Sequence, residues 1–356
     1  MLNANPDRLN ELQDTIDALP RISLANLPTP LEHCSQLSAE VGGPSIWVKR
    51  DDMTGLAMGG NKTRMFEYVL GQVKEDGLDT VVGGAAVQSN YCRQLAAACA
   101  KAGLECHLVL RRVRGEKDDE IQGGILLDLI VGAHVTVVDA PRWSEQGELV
   151  RARAAELSSQ GKKVFTARVG NETGLGLYAA SYAAAAIELI RQAEERELKI
   201  DELWLCSSDT TQAGLAIGLK HVQSPIKIVG VPSLAEPVMP GWTFEECLAS
   251  IGNECAELLG LSTRLDPSEL ISLTDYVGPG YGMMDDSHRE ALRLVGRTEG
   301  LLLDPVYTCK VMSGLLDHIR TGKIGSDRNI IFLHTGGLPA LFAYNDELNL
   351  SLETTQ

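Results

Sequence analysis

An α/β fold built on two parallel sheets follows from three features of the chain. Short β-rich runs alternate with helical stretches from about residue 45, the same rhythm resumes near residue 201, and a glycine-rich loop lies between. In order, SIWVK (45–49) reads as a strand, and a helix starts at Lys62 after two glycines. TVVGG (80–84) gives a strand, a helix begins at Ser89, CHLVL (106–110) a strand, a helix lies near Ile125, and HVTVV (134–138) a strand. The loop RVGNETGLG (168–176) makes a hinge, and the alanine-rich stretch 177–196 is helical by propensity. DELWLCS, a helix from Thr211, KIVGV, a helix near Glu245 and NIIFLHTGG complete the second half. Strands separated by helices must run parallel, because each crossover carries the chain back to the same sheet edge.

A length of 356 residues suits two domains at about 150 residues each. With 48 acidic against 32 basic residues the formal charge is −16, which repels nucleic acid and anionic membranes. The first 20 residues lack a basic start and an apolar core, and no run approaches a membrane span of about 18–20 residues. A cytoplasmic protein without nucleic-acid or membrane partners is expected. Eight cysteines occur without a C-x-x-C pair and no histidines have ligand spacing, so neither disulfides nor a metal site are expected. G-x-S-x-G, G-x-x-x-x-G-K-[ST] and a strand-linked G-x-G-x-x-G are absent, which disfavours a serine triad, a nucleotide loop and a nicotinamide dehydrogenase.

Several clusters carry chemistry. In GLAMGGNKTR, Lys62 opens a helix, where the dipole and nearby Arg64 favour the neutral amine of a nucleophile; a solvated turn lysine is the alternative. In AAVQSNYCRQ, Gln88, Ser89 and Asn90 sit where a strand gives way to a helix, either at a ligand edge or as helix caps. CSSDTTQAG again follows a strand, and the hydroxyls of Ser208, Thr210 and Thr211 with the helix amides form a phosphate cradle or a cap. Tyr281 in VGPGYG and Tyr307 in LDPVYTCK are site phenols or buried tyrosines.

Taken together and in order, KRDDMTGLAMGGNKTR, QSNYCRQ, SSDTTQAG, GPGYG, LDPVYTCK and HTGG closely resemble the pyridoxal-phosphate enzymes of the D-cysteine desulfhydrase and aminocyclopropanecarboxylate deaminase family. The resemblance covers about residues 20 to 345. It implies the tryptophan-synthase-β type of fold, with a large cofactor domain (1–62 and 175–356), a small closing domain (63–174), and a homodimer.

By the same resemblance, Lys62 is the Schiff-base lysine and proton carrier, and Asn90 partners the cofactor's ring hydroxyl. Ser89 lies beside the substrate carboxylate or the migrating proton. Ser208, Asp209, Thr210, Thr211 and Gln212 fall on the phosphate loop, Tyr281 and Tyr307 on the two active-site tyrosines, and Thr308 on the position facing the pyridine nitrogen. Three departures stand out: Asp209 puts an anion beside a dianionic phosphate, Tyr91 replaces a common histidine or glutamine near the substrate, and Met65 replaces a common lysine. Thr308 stands where the cyclopropane deaminases carry glutamate, which implies a preference for expelling a β-substituent. The expected activity is α,β-elimination and deamination of a small β-substituted amino acid, D-cysteine being the model, to a 2-oxo acid and ammonia. Aminocyclopropanecarboxylate deamination, L-cysteate sulfo-lysis and racemisation are alternatives within the class. A noncatalytic α/β ligand-binding protein is the alternative outside it.

Overall fold

The computed structural model describes residues 4–117, 120–167, 174–206, 209–237, 239, 241–348 and 350. The first segment runs through α1 (Pro6–Asp17), β1 (Leu31–His33), α2 (Ser35–Glu40), β2 (Ser45–Lys49) and α3 (Lys62–Glu75). Then come β3 (Thr80–Ala86), α4 (Asn90–Ala102), β4 (Glu105–Arg111), α5 (Gly124–Ile130), β5 (His134–Val138), α6 (Trp143–Ser159) and β6 (Val164–Ala167). The chain continues with α7 (Leu175–Glu195), β7 (Glu202–Cys206), α8 (Thr210–His221), β8 (Lys227–Val231) and α9 (Phe244–Leu258). It closes on α10 (Asp286–Glu299), α11 (Thr308–Arg320) and β9 (Asn329–Leu333).

Two sheets result. The first has the order β1-β2-β9-β7-β8, parallel except for the antiparallel edge strand β1. The second, β5-β4-β3-β6, is wholly parallel and contiguous in sequence. Central strands in such sheets are covered on both faces and therefore apolar throughout, as in β7, where Leu203, Trp204 and Leu205 are all buried. Parallel strands deliver their C-terminal ends, and the helix starts that follow, to one edge of each sheet.

Helix α7 forms the spine of the larger unit. Its alanines let α8 approach so closely that a Cβ on Gly214 would come within 2.1 Å of the Ala179 carbonyl oxygen. Where α7 meets α3 and the segment after β2, charged groups are buried together. Arg64 bonds both Asp51 oxygens at 2.9 Å and Glu188, Tyr182 donates to Asp51 at 2.5 Å, and Lys49 reaches Glu188. Burial alone would push Asp51 up, but Arg64, Lys49 and the Tyr182 hydroxyl hold it below the ordinary carboxylate range.

All eight cysteines are buried, and none is in a disulfide. No helix among the described residues is long and apolar enough to cross a membrane. The hinge expected at 168–176 lies mostly outside the described residues.

Candidate active site

Lys62 is the first residue of α3. Before it, Thr54 accepts from Gly60 N and donates to Gly60 O, both at 2.8 Å, while Asn61 N donates to Thr335 O at 3.0 Å. A Cβ on Gly336 would lie 2.7 Å from Gly60 Cα, so the loop after β9 and the loop before α3 meet backbone to backbone. Asn61 also donates to the Thr211 hydroxyl at 3.0 Å, tying the start of α8 to the start of α3. Two helix N-termini thus converge on the Lys62 amine, whose Nζ lies 3.9 Å from Asp209 Oδ1.

Arg64 is a correction to the sequence expectation. Its guanidinium turns away from Lys62 into the Asp51–Glu188 cluster, where two carboxylates balance its charge. Asp209 is the charged neighbour of Lys62 instead.

Ser89 caps α4, its Oγ accepting from Tyr91 N at 3.1 Å and Cys92 N at 3.3 Å. The hydroxyl hydrogen has no acceptor among the described residues and is available to a ligand. Asn90, the next residue, donates to Thr335 O at 3.1 Å and to Asn61 Oδ1 at 3.3 Å. Gln88 faces the other way and accepts from Gly124 N at 2.7 Å, fixing the start of α5.

Tyr281 and Tyr307 join hydroxyl to hydroxyl, and Trp143 of α6 stands edge-on to the Tyr281 ring at 5.4 Å. The loop carrying Tyr281 is tied to α11 by Lys310, whose buried amine donates to Val277 O and, at 2.8 Å, to Gly280 O. Burial pushes Tyr281 up, with the hydrogen bond from Tyr307 acting the other way; burial and the neighbouring Tyr281 raise Tyr307.

Cys206, at the end of β7, marks where the parts meet. Burial and then Asp304 push its thiol up, while Lys310 and Lys62 pull it down and Asp209 raises it, so these charges surround one point.

Three expected residues sit differently. Tyr91 packs edge-on to Phe66 at 5.2 Å, its hydroxyl 3.3 Å from that of Tyr178, so it lies in the core between α3, α4 and α7. Gln212 turns from the start of α8 and donates to Ile271 O at 2.8 Å, which leaves Thr210 and Thr211 as the near side chains there. Thr308 begins α11 with its hydroxyl already engaged, donating to Asp304 Oδ1 and accepting from Asp304 N, both at 2.7 Å. Ser208 lies outside the described residues. Met65 is buried in the core, 3.6 Å from the Thr210 hydroxyl.

Local sequence did not single out Asn61, Arg93, Asp304 or Thr335. All four lie inside the quoted motifs, but Asn61, Arg93 and Thr335 act through partners distant in the chain, and Asp304 through the turn that leads into Thr308. The expectation of no metal site also passed over a cluster at the opposite edge of the small sheet. Glu105, His107 and His134 there place their ligand atoms within 4.8 Å of one another. Lys162 already pairs with Glu105, and Arg153 donates to His107 Nδ1 at 3.3 Å, so cations and their hydrogens occupy the cluster.

An amine held between two helix starts, hydroxyls at the start of α8, an amide donor at Asn90 and a pair of phenols form a donor set for a small anionic aldehyde. Comparison with known proteins gives the same chemistry. Residues 22–336 match the family model described as pyridoxal-phosphate dependent enzyme. The chain is 36% identical to the D-cysteine desulfhydrase of Salmonella typhi over 332 residues, 92% of this chain and 96% of the relative. The enzyme of the same name from Salmonella newport matches equally, at 36% over the same shares. Among solved structures, an ACC deaminase homologue superposes with a TM-score of 0.83 at 34% identity, covering 95% of this chain and 98% of that one. A pyridoxal 5'-phosphate-dependent aspartate racemase shares the fold at a TM-score of 0.61 and 15% identity, covering 99% and 98% of the two chains.

Proposed function

Because the chain belongs to the pyridoxal-phosphate dependent enzymes, we propose that it is a lyase that removes a β-substituent and ammonia from a small amino acid, D-cysteine being the model, to leave a 2-oxo acid. The observation that carries this is the Lys62 amine at the junction of the α3 and α8 starts, beside Asp209. When bound, pyridoxal phosphate supplies a carbonyl that takes the substrate amine and a ring that weakens the bonds at Cα.

The chain's own residues supply the rest. Lys62 accepts the Cα proton, and Asp209 balances the charge this creates on the amine. Ser89, with its lone pairs taken by two backbone N–H groups, donates its hydrogen to the substrate carboxylate. Asn90 donates to the cofactor's ring oxygen in place of its long 3.3 Å contact with Asn61. Thr210 and Thr211, with the α8 amides and Ser208, hold the phosphate, and Asp209 weakens that hold. Tyr281, backed by Tyr307, gives a proton to the departing β-substituent. Thr308 would face the ring nitrogen with the lone pair that its bonds to Asp304 leave. Closure of a small domain spanning residues 63–174, a homodimer and a cytoplasmic location belong to the same reading; light scattering on the purified protein tests the dimer.

A panel of D- and L-amino acids scored for 2-oxo acid, ammonia, sulfide and sulfite tests the activity. Sulfide and pyruvate from D-cysteine are expected. Turnover confined to aminocyclopropanecarboxylate or L-cysteate, or inversion without ammonia release, would replace this proposal with the corresponding deaminase, sulfo-lyase or racemase. No turnover and no cofactor on Lys62 would leave a noncatalytic binding protein.

A further inference from the structure

The loop that delivers Lys62 runs through backbone that side chains disfavour. Ala57 and Met58 have φ of 43° and 69°, and neither is glycine. Such a conformation persists only where its surroundings hold it.

Arg93 of α4 is the group that does so. Its side chain is buried, giving Nη1 to Ala57 O and Nη2 to Gly59 O at 2.9 Å. The same Nη2 donates to Asn90 Oδ1, and Gln94 Nε2 donates to that oxygen at 2.7 Å. A guanidinium has donors only, so it fixes which way the Asn90 amide faces: oxygen toward Arg93, NH2 toward Asn61 and Thr335. Asn90 can therefore present only a donor on the Lys62 side, which calls for an oxygen on the ligand. Asp128 of α5 is buried, and its Oδ1 has no hydrogen-bond partner among the described residues. Its attraction nevertheless raises Arg93, against the larger effect of burial. Asp128 thus acts on the guanidinium through the field and only partly offsets burial, while the hydrogens go to the loop and to Asn90.

We propose that Arg93 is a positioning residue: its fork locks the 57–59 loop onto the Asn90 amide, setting both the place of the Lys62 amine and the donor that Asn90 offers. The inference rests on the roles given above to Lys62 and Asn90. Lysine keeps the charge but cannot span two carbonyls and an amide oxygen at once.

The test titrates the full chain with pyridoxal 5'-phosphate, follows visible absorbance, and maps borohydride-reduced cofactor to Lys62. Wild type, Arg93→Lys, Asn90→Ala, the double variant and Asn90→Asp are compared, with urea midpoints and kcat and KM alongside. Arg93→Lys is expected to stay folded, bind the cofactor roughly tenfold to a hundredfold more weakly, shift the absorbance maximum, and lose kcat more than it raises KM. In the Asn90→Ala background the same change is expected to have a smaller effect on affinity, because one of the fork's three acceptors is gone. Asn90→Asp, which accepts from Arg93 but has no donor for Thr335 O, Asn61 Oδ1 or a ligand, is expected to lower the urea midpoint and to weaken cofactor binding of the folded fraction, and that affinity decides the case if Arg93→Lys does not fold. Arg93→Lys with affinity and absorbance within about twofold of wild type, effects that simply multiply in the double variant, or an unaffected Asn90→Asp would each overturn the proposal. A wild-type chain that takes no label at Lys62 would overturn the roles it rests on; a labelled wild type with an unaffected Arg93→Lys would overturn the positioning role alone.

Discussion

The hydroxyls of Tyr281 and Tyr307 lie 2.5 Å apart, so one donates to the other and the two phenols titrate as a pair. Burial lifts both above the ordinary phenol range, and the bond from Tyr307 offsets only part of that rise at Tyr281. Tyr307→Phe removes that donor. Tyr281 should then lose its proton less readily, and turnover should fall by roughly a hundredfold with little change in KM. The alkaline limb of kcat against pH should move upward. A pH–rate profile checks it, and an unchanged limb would assign Tyr307 to packing.

Thr308 Oγ1 gives its only hydrogen to Asp304 and takes one from Asp304 N. What remains is an acceptor. A ring nitrogen meeting Thr308 must therefore carry the hydrogen, whereas threonine by itself suggests a hydroxyl donating to a neutral ring. A single hydroxyl acceptor still stabilises the charged ring less than a carboxylate would. D-cysteine should accordingly be converted with a higher kcat/KM than aminocyclopropanecarboxylate. The reverse preference, with Thr308 intact, would remove this residue from the account of specificity.

Asp51→Asn should destabilise the fold by about 3–5 kcal/mol at pH 7, because Arg64 and Lys49 are left facing Glu188 alone, with one positive charge unbalanced out of water. The folded pKa of Asp51 is depressed, so its stabilising contribution is present above the unfolded value of about 3.9 and fades as pH falls through the folded one. Urea unfolding of the variant and wild type should converge in strong acid.

Asp128 behaves oppositely. Burial pushes its carboxyl up to about 7, with Arg93 only partly offsetting it. A raised folded pKa means that the contribution is whole below about pH 4 and is lost as pH rises to about 7. Asp128→Asn lacks that titration, so its stability relative to wild type should improve by a few kcal/mol, in order of magnitude, between pH 4 and pH 8. Parallel urea curves across that range would show that Asp128 is ordinary.

Alternating β-rich and helical runs were enough to announce two parallel sheets, and the helix starts at Lys62 and Asn90 follow from glycine and serine punctuation. The edge strand Leu31–His33 was not legible, since three residues carry no periodicity and its strand partner among the described residues is Ser45–Lys49. The start of α8 was visible as hydroxyl residues after a strand, yet the direction of Gln212 depends on Ile271, 59 residues away. Tyr91 follows two polar residues and reads as part of the site, but it is helical periodicity from Asn90 that carries it into the core beside Phe66. Arg64 looked adjacent to Lys62 because sequence proximity ignores the 100° turn per helical residue.

The eight buried cysteines give the chain an internal set of clocks. Cys92, Cys99 and Cys106 share the apolar core around α3 and α4, Cys247 and Cys255 lie on α9, and Cys206 and Cys309 flank the candidate site. A thiol that burial shields reacts with an alkylating reagent only in the moments when its surroundings open. The order in which the eight acquire label, read by mass spectrometry with and without cofactor, would rank the regions of the molecule by how often each comes apart, with no probe added and no residue changed.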